Sequence, residues 1–496
     1  MLLFSAMMSV HLTGIRGGSS YYLIYLRFHF RTVKISEHLT YKKIFLFWSP
    51  LALTWLMMSL EQPFLVSVIA RLPDAKHNLA AFGIAFSFAL IVEAPVIMLM
   101  SASTALVTDR NSYKKLKRFT DILNIGVVIV QLLVLIPPVF NFIVRDLMGV
   151  PGNVAHLTYV SLILLILWPP AIGYRRFYQG ILIRNNLTRR VTYGTIVRLL
   201  VIGLAGYILY LTGIPGAYVG GATLSVAVFA EAVASWLMAR KTVRRIIREG
   251  DHNEVYHGVV NPGEAEHGKE NNQVNESKDR LNYRFITRFY TPLALTSLLS
   301  LGVHPFVTFF LGRSQMPIES LAVLPVLNSL VFIFRSVGLS YQEVNIALIG
   351  DRKQNYRKLR NFAIILGTAV TFLLGIIAFT PLAAVWFRDV SGLTPDLADL
   401  AYFPLKILLF LPALSVLLSF QRSILVVANN TRPISIATAV ELLVILLVLL
   451  FCVGYLDMIG VIAASLAYVI GKSASNLYLA PRLGRVVKRW RLALSA

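Results

Sequence analysis

Ionisable side chains set inside long apolar runs are where this sequence can do chemistry. Glu61-Gln62-Pro63 is the first such group. Pro63 cannot donate a helical hydrogen bond and frees the carbonyl near Ser59, so a carboxylate sits beside a polar kink. That arrangement suits a proton or cation carried on Glu61, with Gln62 alongside and Pro63 as hinge. Shifted by 242 residues, Val303-His304-Pro305 repeats the kink with a titratable imidazole on His304 and a second hinge at Pro305. Glu93, two residues before Pro95, is a further candidate. A charged group at the centre of a membrane helix costs about 2.5–3.5 kcal/mol on insertion scales, so each one calls for a compensating partner or role.

Basic residues form the second set. Arg198, Arg335 and Lys406 lie within apolar runs, and an arginine fork holds carboxylate or phosphate bidentately. These three are candidate contacts for an anionic substrate. Lys472 also falls within a run, whereas Arg175, Arg176 and Arg422 are placed to snorkel at helix ends. Arg198 and Glu441 occupy the same repeat position with opposite signs. They are expected either to pair across the two halves in one state or to pair separately, each within its own half. Glu231 and Glu343 remain, the latter in a polar patch SYQEVN that has the character of a structural cluster.

Enzyme chemistry finds little support. No GxxxxGK[ST] loop, HExxH pair or nucleophile elbow occurs. No metal site or organic cofactor is implied, and a coupling proton or sodium ion is the one small partner that the carboxylates suggest. Cys452 is the single cysteine and lies in an apolar run, which excludes an intramolecular disulfide framework.

The elements that must position these residues are membrane helices. Of 496 residues 56% are hydrophobic and only 14% charged, against roughly 25% charged in a soluble domain. At about 20 apolar residues per span, the runs from 44 to 239 and from 286 to 480 divide into six and six. The expected fold is therefore an all-α polytopic membrane protein, twelve transmembrane helices in two pseudo-symmetric six-helix bundles. Residues 1–43 form an N-terminal extension with no assigned role, lacking the basic start and cleavage site of a signal peptide. Residues 44–239 form the N-lobe and 286–480 the C-lobe. The polar stretch 240–285 is expected to be a mobile cytoplasmic linker, and 481–496 a basic tail.

The net charge of +23 would suit nucleic acid in a soluble protein. Here the bases cluster in short loops, Arg110 to Arg118, Arg184 to Arg190 and Arg352 to Arg360, and in the tail. The alternate loops, such as RLPDAKHN, RDLMGVPGN and RDVSGLTPDLAD, offset bases with acids. That asymmetry places both termini in the cytoplasm of a cell-membrane protein, with the bilayer rather than nucleic acid as partner. Nothing calls for an oligomer, and a monomer is expected.

An internal repeat organises the chain. At a shift of 242, PLALTWLMMSLEQPFLVSVIAR at 50–71 lies on PLALTSLLSLGVHPFVTFFLGR at 292–313. Tyr113, Leu116 and Phe119 fall on Tyr356, Leu359 and Phe362 after one inserted residue, and FYQGILIRNNLTR at 177–189 lies on FQRSILVVANNTR at 420–432. Six spans plus an inside linker return the chain to the same side, so the halves should be related by an axis along the membrane normal. Pro169-Pro170 and Pro404 with Pro412, in the matching fourth and tenth spans, are further bending points or static kinks.

Two six-helix halves, the loop pattern Asp-Arg-x-x-x-Tyr-x-x-Leu and a fourth span ending in Asn-x-Thr-Arg resemble the MATE-like (MOP) flippase superfamily. Glu61-Gln62, LAAFGIAFSF at 79–88 and QGILIR at 179–184 are more similar to its progressive ankylosis branch. The resemblance implies secondary-active export by alternating access of a small organic or phosphorylated anion. Its other branches imply a cation-coupled multidrug antiporter or a lipid-linked oligosaccharide flippase, hence a small-molecule or lipid-linked substrate. Antiporter branches often carry a carboxylate in the first or seventh span; here the seventh has none.

Overall fold

A computed structural model describes residues 39–185, 187–258, 282–349, 355–428 and 430–495. The first half runs α1 (Tyr41–Ser59), α2 (Glu61–Ala70), α3 (Ala75–Glu93), α4 (Leu99–Leu106), α5 (Arg110–Val134) and α6 (Pro137–Asn141). A π-helical turn (Phe142–Leu147), α7 (Gly152–Leu164), α8 (Trp168–Arg184), α9 (Thr188–Leu211) and α10 (Gly216–Gly258) complete it. The second half repeats the plan with α11 (Tyr283–Leu301), α12 (Val303–Gly312), α13 (Pro317–Leu348), α14 (Tyr356–Phe379) and α15 (Leu382–Ala384). A second π turn (Val385–Val390), α16 (Pro395–Leu408), α17 (Leu411–Val427), α18 (Arg432–Gly454) and α19 (Gly460–Ser495) follow.

Ten of these segments, some joining two helices, are long and apolar enough to cross a membrane. The bent pair of α5 with Pro137–Leu147, turned by 71°, brings the number to eleven. The expected twelfth, α19, falls short of that apolarity because Lys472, Ser473, Ser475 and Asn476 interrupt its apolar half. It nevertheless packs among α13, α16, α17 and α18. The outward faces are apolar: Ile122, Ile125, Ile129, Leu132 and Leu133 on α5 are all about half exposed. An apolar stripe of that extent facing outward belongs in lipid.

Helices run past the expected limits of the lobes. Helix α10 continues to Gly258, so residues 240–258 of the predicted linker are helix, and α19 runs through the predicted tail to Ser495. Residues 259–281 of the linker, and 1–38 of the extension, lie outside the described residues.

Proline sets the breaks. Helix α1 ends at Ser59 and α2 opens at Glu61, with Pro63 in its first turn; α11 ends at Leu301 and α12 opens at Val303, with Pro305 in its first turn. A proline there is tolerated only where the chain has already turned out of the preceding ladder. The fourth and tenth spans break likewise, before Trp168-Pro169-Pro170 and before Leu411-Pro412. The second span breaks after Glu93, whereas its repeat partner α13 stays continuous through Pro325.

The halves meet through reciprocal contacts at both ends. At one end, the one expected from the loop charges to face outside, Arg71 donates to the carbonyls of Asp389 (2.5 Å) and Val390 (3.1 Å) at the end of the second π turn. Its repeat partner Arg313 donates to the carbonyls of Leu147 (2.6 Å) and Asp146 (3.2 Å) at the end of the first. Each arginine thus satisfies the orphan carbonyls of a helix end in the opposite half. Gly312 permits the approach, since a Cβ there would stand 2.4 Å from the Met148 carbonyl oxygen. Lys76 and Glu319 add an ion pair at 2.5 Å across the same seam.

At the other end the contacts are aromatic. Trp48 on α1 donates to Ser340 Oγ on α13 at 2.8 Å and lies edge-on to Phe362, ring centroids 6.0 Å apart. Its counterpart Tyr290 on α11 donates to the Pro95 carbonyl and lies edge-on to Phe119 at 5.1 Å. The first helices of spans 1 and 7 therefore cross onto the opposite half.

Candidate functional site

Two clusters of charge lie within the spans, one largely buried in the N-lobe and one half-buried in the C-lobe. In the N-lobe, Arg175 on α8 donates from Nη1 to Glu231 Oε2 on α10 at 2.5 Å, with side chains only 4% and 2% exposed. Gln179, one turn further along α8, donates to the other oxygen of Glu231 at 3.1 Å. Arg198 on α9 reaches Glu231 Oε2 at 3.5 Å and Glu61 Oε1 at 2.5 Å. The result is a chain of alternating charge, Arg175–Glu231–Arg198–Glu61, tying the fourth, sixth, fifth and first spans together. Buried charges persist only when paired in this manner.

Glu61 is thus a member of an ion-pair chain, held by Arg198 rather than standing alone, with Gln62 and Pro63 half-buried next to it. Glu93, the last residue of α3, is 4% exposed, and its Oε2 is buried without a hydrogen-bond partner. Its carbonyl end sits where the second span opens, accepting from Val96 and Ile97. Arg176, also buried, places its Nη1 3.9 Å from Met100 Sδ. The N-lobe core therefore sets three carboxylates (Glu61, Glu93, Glu231) against three arginines (Arg175, Arg176, Arg198).

In the C-lobe the balance differs. Glu441 on α18 pairs with Lys472 on α19. Arg422 on α17 donates to Thr438 Oγ1 at 3.2 Å, one turn before Glu441, and its Nε is buried without a partner. Arg335 on α13 donates from Nε to Ser415 Oγ on α17 at 3.2 Å. Among the described residues neither Arg335 nor Arg422 makes an ion pair, although both act on Glu441 through space. His304, at the start of α12, lies within the field of Arg335. Three cations thus share one carboxylate.

Of the two alternatives for Arg198 and Glu441, the structure has the second: each finds its partner in its own half, Glu61 with Glu231 for the first and Lys472 for the second. The reason is proximity, since neighbouring helices of one bundle offer a complementary charge at hydrogen-bond range. Lys406 does not join the others. It is exposed, with its ammonium 5.6 Å from the Phe379 ring at the C-terminal end of α14, as a long cationic side chain does when it snorkels along an apolar surface.

Sequence reasoning undervalued Arg175 and Glu231, the most deeply buried pair. The signal lay in Arg175 and Gln179, which stand four apart on one helix face, with a lone acid in another apolar span. It also missed that Glu93 and Arg335 fall on each other at the 242-residue shift. Sign inversion therefore occurs twice between the halves, at Glu93/Arg335 and at Arg198/Glu441. Among the described residues no group of His, Cys, Asp and Glu is arranged to hold a metal ion.

Comparison with known proteins bears on the fold. Residues 50–209, most of the N-lobe, match the MatE family. No curated protein matches the chain. An inward-facing multidrug resistance MATE family transporter of the MOP superfamily is similar with a TM-score of 0.61 at 16% identity, covering 88% of this chain and 96% of that one. The lipid II flippase MurJ, in an inward closed conformation, reaches 0.61 at 14% identity, covering 88% and 87%. A MOP superfamily transporter from Pyrococcus furiosus, noted for the reverse polarity of its binding pocket, reaches 0.56 at 14% identity, covering 88% and 96%. The chain therefore has the two-lobe helical fold of the MATE and MurJ transporters, and its residues 50–209 carry the MatE family pattern.

Proposed function

We propose that this protein is a secondary-active exporter that works by alternating access between its two lobes, with a small organic or phosphorylated anion as substrate. The observation that carries this reading is the seam at the outer end. Two repeat-equivalent arginines, Arg71 and Arg313, each cap carbonyls of the opposite lobe. Exposed polar contacts of this kind are individually weak, on the order of 1 kcal/mol, so the seam can open without disturbing either lobe. Broken first, fourth, seventh and tenth spans give each lobe bending points beside its charge cluster.

The excess of cations over carboxylates in the C-lobe favours an anion, as do the stretches similar to the ankylosis branch. Glu93 is the group suited to carry a coupling proton, since it alone of the three buried N-lobe carboxylates makes no ion pair among the described residues. Operation in the cell membrane with both termini inside follows from the loop charges. A flippase reading stays open because MurJ superposes as well as the MATE structure does; its substrate would present the same anionic chemistry on a lipid.

Uptake into proteoliposomes under an imposed pH gradient tests the reading, with labelled citrate and pyrophosphate set against a cationic dye. Saturable anion flux is the expected result. Gradient-dependent dye flux without anion flux would move the protein to the multidrug class.

A further inference from the structure

The C-lobe cluster is left with a charge excess that its own residues do not neutralise. Arg335, Arg422 and Lys472 come from three different helices, α13, α17 and α19, and Glu441 on α18 is their one carboxylate. Two of the three cations make do with neutral hydroxyl acceptors, Ser415 and Thr438. Glu441 and Lys472 are only 14% and 13% exposed, so water screens the excess poorly. A guanidinium drawn away from water needs an anionic partner or a dense set of acceptors; the half-buried Arg422 has one hydroxyl contact, and its Nε, like those of Arg175, Arg176 and Arg198, has no partner among the described residues. The N-lobe, with three acids to three arginines, has no such excess.

We propose that Arg335, Arg422 and Lys472 form a binding site for an oxyanion carrying two negative charges, a dicarboxylate or a phosphate, and that Glu441 is the built-in competitor which occupies Lys472 until the anion arrives. Two negative charges match the count of three cations less one carboxylate. The two guanidinium forks supply planar, bidentate donors for carboxylate or phosphate oxygens. Lys472 supplies a compact charge that Glu441 releases. This inference rests on the anion-transport reading but concerns binding alone, so it can fail separately.

The consequence for Glu441 is distinctive. A carboxylate that merely braced the lobe would weaken binding when removed, because the site would loosen. A competitor does the opposite: Glu441→Gln frees Lys472 and tightens anion binding by about tenfold. Arg335→Gln and Arg422→Gln each weaken it by about tenfold or more, and Arg422→Lys restores part of the loss.

Calorimetric titration of the full-length protein in detergent provides the test, with inorganic phosphate and succinate as free anions. Phosphatidic acid in mixed micelles is the lipid-borne arm. Lys406→Gln serves as the control, because Lys406 stands apart beside Phe379. Binding of either free anion with the stated order, Glu441→Gln tightest and the arginine variants weakest, supports the site. The same order with phosphatidic acid alone assigns the ligand as a lipid headgroup. Unfolded variants are recognised by size-exclusion chromatography, and Arg422→Lys then carries the comparison. Wild-type protein that binds none of the three probes, or binds them equally well in the folded arginine variants, overturns it. Binding without flux in proteoliposomes would instead retire the transport reading and leave the site standing.

Discussion

The two lobes begin from the same repeat and end with opposite electrostatics. At equivalent positions the N-lobe has Glu93 and Arg198 where the C-lobe has Arg335 and Glu441. Beside them the N-lobe adds Arg175 paired with Glu231, whereas the C-lobe has Leu418 at the position of Arg175. In the N-lobe Arg175 and Arg198 are tied into an ion-pair strut and the acids equal the arginines in number, while in the C-lobe two of three cations have only hydroxyl acceptors. On the proposal above, one scaffold supports a structural network in one half and a receptive site in the other. The backbone supplies the positions, and which function each lobe takes depends on two or three side chains per lobe.

The most severe way to break the comparison is to remove the hub of the N-lobe strut. Glu231→Ala leaves Arg175 and Arg198 buried without it, a loss of about 3–5 kcal/mol, visible as a large drop in melting temperature and in folded yield. Removing Arg422 from the C-lobe should cost far less stability, because it has no carboxylate partner to orphan. Equal losses for the two variants would erase the distinction between strut and site.

Charge inversion can be probed at the next level. Arg335→Glu should abolish anion flux and give the C-lobe a polarity closer to that of the N-lobe, with folded yield reduced by less than in Glu231→Ala. Glu93→Gln should preserve the fold yet flatten the dependence of flux on the pH gradient, since its carboxylate makes no ion pair among the described residues. Retained gradient dependence in that variant would take the coupling role from Glu93.

A smaller effect is expected at the seam. Arg71→Ala with Arg313→Ala removes about 1 kcal/mol per arginine, which shifts the balance between closed and open outer ends by roughly tenfold or more. Spin labels on the outer loops should report a larger open fraction, with the melting temperature nearly unchanged. A single variant that acts as strongly as the double would show that the two contacts are not equivalent.

The smallest effect concerns a cap outside the spans. Asp109 closes α5 with a capping box, accepting from Ser112 N at 2.9 Å while its own N donates to Ser112 Oγ at 2.9 Å. Burial pushes its carboxyl up, but hydrogen bonds from Thr108, Ser112 and Asn111 outweigh that and hold it below its ordinary value of 3.8. A carboxyl whose folded pKa is lowered contributes stability that is present above the unfolded value and lost as pH falls through the folded one. Asp109→Ala should therefore cost about 1 kcal/mol near neutrality and almost nothing at strongly acid pH. Its repeat partner Asp351 lies outside the described residues.

Much of this architecture was legible in the amino-acid sequence. Apolar run lengths and the 242-residue register anticipated two equivalent bundles, and the prolines anticipated where spans would break. Pro63 and Pro305 announced their kinks because a proline removes one specific hydrogen bond, a local effect needing no tertiary knowledge. The partners of the charges were not legible. Arg175 and Glu231 lie 56 residues apart, and only the packing of α8 on α10 brings them together. Lys406 misled for the same reason: its run is apolar, but whether that face points inward depends on neighbours that run length does not reveal. The Arg71 and Arg313 contacts were hidden because they run to backbone carbonyls, which leave no side-chain signature.

Alternating access requires the outer seam to part, and a reversible lock tests that most directly. Ser67 Oγ donates to the Val390 carbonyl at 2.8 Å across the seam, so Ser67→Cys with Val390→Cys places two thiols at the closure. With the cross-link verified by mass spectrometry, anion flux in proteoliposomes should stop on oxidation and return on reduction. Undiminished flux through the locked protein would contradict the account, because the lobes would then be transporting without opening where the structure closes them.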